Sequence, residues 1–275
     1  ECVKFQCHVI EDEMIPNNVI PGNATESIWD IMKRCALSEK EEKQVKEYVE
    51  EQNLIYLSTP FSRAAAERLE GFGVPAYKIG SGEVTNFLLL ERISQTKKPV
   101  ILSSGMSSFI ELDAAVNFLK EKHIETSVLQ CTTAYPTHPN EYGLNVITEL
   151  KERYNIPVGF SDHSAKIETC IAATALGAEI LEFHAVFNKD VFGPDTSSSL
   201  TIQEIETLVK GVRNIGIANE SFINKNDTSK FSELKLIFEK SLAVNKDLNK
   251  GHIIKFEDLE AKKPATTKKI CILKA

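Results

Sequence analysis

The chain has 275 residues, more than one ordinary domain needs but normal for a single α/β barrel. Its 32 Lys and Arg against 39 Asp and Glu give a net charge of −7, which argues against a general nucleic-acid binder and leaves room only for a local basic pocket. A hydrophobic share of 42% and a charged share of 26% are those of a globular protein, and no apolar run approaches the roughly 18 residues of a membrane span.

In chain order, strand-like runs recur at residues 3–6, 55–58, 76–79, 99–103, 127–131, 157–160 and 180–184. They are apolar rather than strictly alternating, as in strands covered on both faces. Amphipathic helices lie between them. Ser38 with Glu41, Ser108 with Glu111 and Thr201 with Glu204 have the spacing of capping boxes, and Gly177 is placed to end the helix before the last strand. From Ile55 onward the strands return at the spacing of a β/α barrel. Seven strands do not close an eight-strand barrel, so the sequence predicts a first strand upstream of Glu1. It also predicts a slot with unpaired edges between the strands at 3–6 and 180–184. Residues 1–218 are expected as the barrel, 219–239 as a polar linker, and 240–275 as the start of a small separate domain. Six Cys are too few for a disulfide scaffold. Cys2, Cys7, Cys131 and Cys170 lie in apolar runs and are expected as buried free thiols of a cytoplasmic protein with no membrane partner.

In a β/α barrel, chemistry sits at the C-terminal ends of the strands. The polar residues there are Lys4 and Gln6; Ser58 and Thr59; Lys78, Ser81 and Glu83; Ser103 and Ser104; Thr132, Thr133 and Tyr135; Ser161, Asp162 and His163; Glu182 and His184. Lysines inside strands are costly unless an anion pairs with them. Lys4 and Lys78 among hydroxyls therefore point to a phosphate or carboxylate cradle, with Gly80-Ser-Gly82 letting backbone N–H groups approach it. His163 and His184 follow consecutive strands and can bring two imidazoles onto one Mn, Fe, Co or Zn ion at about 2.0–2.3 Å, with Glu83 nearby. A structural ion pair for each Lys and a hydrogen-bonded core role for each His are the competing readings. Together these groups describe a barrel enzyme that acts on an anionic, phosphorylated substrate with a metal.

Several ordered motifs carry a resemblance. They are Val3-Lys-Phe-Gln6, Val19-Ile-Pro-Gly-Asn-Ala24, Leu57-Ser-Thr-Pro-Phe-Ser-Arg63, Pro75-Ala-Tyr-Lys-Ile-Gly-Ser-Gly-Glu83, Pro99-Val-Ile-Leu-Ser-Ser-Gly-Met106, the run from Cys131 to Pro136, Gly159-Phe-Ser-Asp-His163, Leu181-Glu-Phe-His184 and Gly193-Pro-Asp195. Over nearly its whole length the chain resembles the N-acetylneuraminate (sialic acid) synthase family. The resemblance implies a TIM (β/α)8 barrel, here lacking its first strand, followed by the start of a small antifreeze-like (SAF) domain, in a homodimer. It implies condensation of phosphoenolpyruvate with N-acetylmannosamine, its 6-phosphate or a trideoxy amino sugar, with release of phosphate. On that resemblance Lys4, Thr59, Lys78, Ser81, Ser103, Tyr135 and Ser161 hold phosphoenolpyruvate, and His163 and His184 hold a divalent metal, Mn2+ before Mg2+ or Co2+. Asn23, Glu182 and Asp195 hold the sugar hydroxyls, and Glu83 stands near the metal and the reacting carbons.

The resemblance implies three departures from the family: the opening strand, with a Glu that handles the attacking water, is expected upstream of Glu1, and the other two are substitutions at residues 133 and 104 and the sequence after Pro264. Thr133 replaces an Asn found in many members, and it keeps hydrogen-bonding capacity for the substrate. Ser104 replaces a Thr. After Lys262-Lys-Pro264 the chain reads Ala-Thr-Thr-Lys-Lys, with no match for the Arg that the family's SAF domain lends to the partner's sugar site. Two other functions fit the same residues. A metal-dependent pyruvate aldolase is separated by phosphate release, and a non-catalytic sugar- or phosphate-binding barrel by binding without turnover.

Overall fold

The computed structural model describes residues 1–21 and 25–264. The chain divides into two compact units, Glu1–Glu220 and a second that begins at Ser221. The first unit opens with β1 (Cys2–Cys7), the one-turn α1 (Ile10–Glu13), α2 (Ile28–Cys35) and α3 (Glu39–Glu51). Strands and helices then alternate: β2 (Ile55–Pro60), α4 (Arg63–Phe72), β3 (Tyr77–Ile79), α5 (Phe87–Ser94), β4 (Val100–Ser103), α6 (Phe109–Glu121), β5 (Thr126–Cys131), α7 (Leu144–Tyr154), β6 (Val158–Asp162), α8 (Ile167–Ala175) and β7 (Ile180–Val186). It closes with β8 (Ser199–Thr201) and α9 (Ile202–Glu220). The second unit holds α10 (Ser232–Phe238), within the stretch expected as linker, and an antiparallel pair, β9 (Ser241–Val244) and β10 (Leu259–Lys262).

β1 and β2 pair in parallel, and β3 to β8 form a six-stranded parallel sheet in strict chain order, with β2 lying alongside β3. A helix between most successive strands makes this the curled parallel α/β sheet that the periodicity predicts. Every residue of β5 and of β6 is buried, which is why those strands read as apolar runs. Pro99 and Pro157 stand one residue before β4 and β6. They lack a ladder donor, but their carbonyls accept from Tyr77 and Val128. The predicted helix starts are found. Ser38 and Glu41 form a reciprocal capping box on α3, as do Ser108 and Glu111 on α6. The Thr201 backbone N–H donates to Glu204 at 2.7 Å. Gly177 follows α8 at φ +87°, where a side chain would be strained.

Two expectations need correction. The sequence count omits β8, which pairs with β7 from His184↔Ser199 to Val186↔Thr201. The edge of β7 expected to be open is thus filled over its last three residues. Among the described residues, no strand pairs with residues 180–183 on the side away from β6. A three-residue strand with one apolar side chain, Leu200, is too short for periodicity to register. Cys2 is exposed rather than buried, because it opens β1 at the rim; Cys7, Cys131 and Cys170 are buried and free.

At the end of the sheet where the strands begin, three lysines serve the backbone. Lys98 Nζ donates to the Val74 carbonyl at 2.5 Å, Lys151 Nζ to Gly177 at 2.6 Å and Lys97 Nζ to Lys122 at 3.0 Å. These carbonyls lie in helix-to-strand turns, where a cation satisfies an acceptor the helix leaves free. Between α3 and the sheet, Glu42 is 1% exposed and accepts from Cys7 Sγ (3.1 Å), Tyr56 Oη (3.1 Å) and Arg68 (3.4 Å). Among the described residues, no helix is long and apolar enough to cross a membrane.

Candidate active site

Lys78 is the middle residue of β3 and is 2% exposed. Its Nζ donates to Ser103 Oγ on β4 at 2.6 Å and more weakly to its neighbour's carbonyl, Ile79 O, at 3.5 Å. Glu182 on β7 reaches it with Oε2 at 3.4 Å. The other oxygen of Glu182 lies 3.9 Å from Lys4 Nζ on β1 and accepts from Ser161 Oγ at 3.3 Å. Ser161 and Glu182 are register partners on adjacent strands, so their side chains emerge together on one face. Burial pushes the Lys78 ammonium below its ordinary range, and Lys4 adds to that while Glu182 opposes it. Burial alone would raise the Glu182 carboxyl, but Lys78 and Lys4 together hold it below the usual carboxylate range.

The second cluster lies at the ends of β5, β6 and β7. His163 Nδ1 faces the Thr132 carbonyl at 2.9 Å, which fixes the proton there and leaves Nε2 its lone pair. Tyr135 Oη stands 3.2 Å from that Nε2, and its ring stacks on His163 with centroids 4.2 Å apart. The His184 ring lies 5.2 Å from that of His163, edge-on, with Nδ1 3.5 Å from Asp195 Oδ2. Burial lowers His184, and Asp195 only partly offsets it. Burial also works against the His163 cation, but the adjoining Cys131 thiol and the Thr132 carbonyl raise its pKa overall. Cys131 in turn is lowered, since His163, Ser81 and Lys78 outweigh the effect of burial.

Around Gly105 the backbone passes close to three side chains. Ser81 Oγ accepts the Gly105 N–H at 3.1 Å, and Thr133 and Cys131 flank the same α-carbon. Thr59 is buried on β2 and touches the space above Gly80. Glu83 accepts from Asn86 at 2.7 Å; burial raises its carboxyl, and the negative charge of Glu13 adds to that. Its described interactions are with Asn86 and Glu13, not with the two histidines. Asn23 lies outside the described residues. Asp162, in the strand-end set, turns the other way: its Oδ2 accepts from Ser164 Oγ at 2.9 Å, because neighbours in a strand face opposite sides. Among the described residues, no group of three or more His, Cys, Asp and Glu has the arrangement of a metal cage. The structure thus brings together Lys4, Lys78, Ser103, Ser161 and Glu182, and separately His163, His184, Tyr135 and Asp195. Cys131, read from sequence as an inert core thiol, joins the two groups; only its place directly before Thr132 and Thr133 hinted at this.

Residues 1–224 match the NeuB family model. The chain belongs to the NeuB family. This NeuB-family chain is 35% identical over 272 residues to the N,N'-diacetyllegionaminic acid synthase of Campylobacter jejuni, spanning 96% of this chain and 81% of that protein. It is 32% identical over 245 residues to the Campylobacter jejuni pseudaminic acid synthase, spanning 86% of this chain and 71% of that one. The solved N-acetylneuraminic acid (sialic acid) synthetase of Leptospira borgpetersenii, in complex with citrate, is similar with a TM-score of 0.76 at 30% identity, over 85% of this chain and 79% of that one.

Proposed function

We propose that this chain condenses phosphoenolpyruvate with an acylated amino sugar such as N-acetylmannosamine, giving a nonulosonic acid and inorganic phosphate. The observation that carries this is the pairing of a two-lysine cradle, Lys4 and Lys78 with Ser103 and Ser161, with an imidazole pair at the same strand ends. In this activity the first unit is a (β/α)8-type barrel domain and residues 240–275 are the start of an antifreeze-like domain, working as a homodimer in the cytoplasm.

Lys78 and Lys4 neutralise the phosphate and carboxylate of phosphoenolpyruvate, and Ser81, Ser103, Ser161 and Thr59 fix its oxygens. Carbon 3 of phosphoenolpyruvate attacks the sugar aldehyde, and positive charge develops at carbon 2. A water adds there, the proton it loses matching the one the aldehyde oxygen takes up, and the tetrahedral adduct becomes a ketone as its hydroxyl gives up its proton and its carbon–oxygen bond to phosphate breaks. Glu182 and Asp195 orient the sugar hydroxyls, as Asn23 would. Holding the leaving group between two ammonium ions favours this step, since the phosphate departs with its full charge. The donor set suits a divalent cation, Mn2+ before Mg2+ or Co2+. His163 has its Nδ1 committed to Thr132, so Nε2 keeps a lone pair that could ligate an ion once Tyr135 Oη, 3.2 Å away, gives way, and His184 stands beside it. Held by those two nitrogens, such an ion would supply Lewis-acid polarisation of the aldehyde oxygen.

The test is phosphate release and nonulosonic acid formation from phosphoenolpyruvate with N-acetylmannosamine and with 2,4-diacetamido-trideoxy sugars. Turnover of at least one sugar is expected, lost on chelation and in His184→Ala. Lys78→Met should lower kcat/KM by about 30- to 1,000-fold, the equivalent of roughly 2–4 kcal/mol for a charge-assisted contact to phosphate. Product formed from pyruvate, without phosphate release, would instead make the protein an aldolase.

A further inference from the structure

We propose that Glu182 is a built-in counter-ion that occupies the anion cradle until a substrate phosphate or carboxylate displaces it from Lys78. This rests on the cradle being the phosphoenolpyruvate site. An ammonium has three donors. Lys78 Nζ donates to Ser103 Oγ at 2.6 Å and weakly to Ile79 O at 3.5 Å, and Glu182 Oε2 faces it as an ion pair at 3.4 Å. An arriving phosphate oxygen must therefore compete with these partners for the ammonium, and chiefly with Glu182, the anion among them.

The Ile79 carbonyl is part of β3 and cannot withdraw, and the buried Ser103 hydroxyl on β4 is neutral and does not compete with an anion for the charge. Glu182 can withdraw. Its side chain is 20% exposed against 3% for Lys78, and its other oxygen has Ser161 at 3.3 Å and Lys4 at 3.9 Å to fall back on. The buried ammonium needs a negative neighbour at all times, because an unpaired charge in that position is costly. Glu182 supplies that neighbour in the empty site, and the ligand supplies it in the filled one. The exchange conserves the number of ion pairs.

The empty cradle consequently has one carboxylate between two lysines, a net charge of +1 rather than +2. A small monoanion gains little by trading places with a carboxylate already in position. A ligand bearing two anionic groups can satisfy both lysines and release Glu182 toward the neighbouring ligand. Glu182 is thus a specificity-determining residue that selects for dianionic substrates.

The experiment compares wild type and Glu182→Gln by titration calorimetry with inorganic phosphate, then with phosphoenolpyruvate, in the absence of sugar. With the internal competitor neutralised, Glu182→Gln should bind inorganic phosphate about tenfold more tightly. Unchanged or weaker phosphate binding in a folded Glu182→Gln protein overturns the proposal. If that variant does not fold, wild-type crystals soaked in phosphate decide. Lys78 and Glu182 separated beyond hydrogen-bonding reach support it, and an unmoved pair with phosphate bound overturns it. Wild type that binds phosphoenolpyruvate but turns over no sugar removes the proposed activity and leaves the phosphate comparison standing. Neither protein binding phosphoenolpyruvate removes both.

Discussion

A β-carbon at Gly105 would come within 2.6 Å of Ser81 Oγ and 3.0 Å of Cys131 Sγ, and would also meet Thr133 Oγ1. All three side chains belong to the substrate end of the sheet, so Gly105→Ala shifts them rather than the core. The expected result is a KM for phosphoenolpyruvate raised about tenfold, with a thermal midpoint lowered by no more than about 3 °C. A large loss of stability with unchanged KM would assign the glycine to folding alone. Glu42 makes the opposite case. It is 1% exposed and answers Arg68, Tyr56 and Cys7 beneath α3, and is not among the partners of the cradle lysines. Burial, with the Glu42 charge behind it, holds both the Cys7 thiol and the Tyr56 phenol protonated well above their ordinary range. Glu42→Ala leaves the Arg68 cation half-buried without its partner and should cost about 3–5 kcal/mol, read from the urea midpoint at constant m-value.

Helices α3 and α6 each begin on a reciprocal capping box, so Ser38→Ala and Ser108→Ala should each lower stability by about 1 kcal/mol without altering turnover. α6 and α7 are joined by Asp113, whose oxygens take a two-pronged grip from Arg153 and a hydrogen bond from Tyr154 at 2.8 Å. That contact lowers the Asp113 carboxyl from 3.8 to about 2. A depressed carboxyl stabilises the fold above its unfolded value and loses that contribution as pH falls through the folded one. The melting advantage of wild type over Asp113→Asn should therefore be complete above pH 3.8 and vanish as pH falls toward about 2. These elements were legible in the sequence because the signals are local: a Ser three residues before a Glu, or five apolar residues between turns. Lys4, Lys78, Ser103 and Ser161 were legible as well, since a charged or hydroxyl side chain closing an apolar run is costly to bury without a polar partner or a ligand. β8 was not, because three residues carry no period. Nor was the position of Glu182 between two lysines, since β1, β3 and β7 are distant in sequence and only the curl of the sheet brings them together.

The two compact units are joined at a stretch in which residues 221–234 are all exposed. Trypsin should cut first at Lys225 or Lys230, and mass spectrometry should find a fragment that starts at Glu1 and survives further digestion. Early cleavage within β3 to β6 would mean that the parallel sheet is not the stable body described. Within the first unit, lysines stand at both ends of the strands under different obligations. Lys98 and Lys151 need only extend a cation to a turn carbonyl. An Arg can also donate to a carbonyl, and Lys151 faces Glu179 at 3.7 Å, a partner that a guanidinium can keep. Lys78 must serve a serine and a carbonyl as hydrogen-bond donor and a carboxylate as counter-ion, all from one point. A planar guanidinium cannot copy that geometry. Lys98→Arg and Lys151→Arg are therefore expected to keep wild-type turnover, whereas Lys78→Arg should lose it, read from phosphate release.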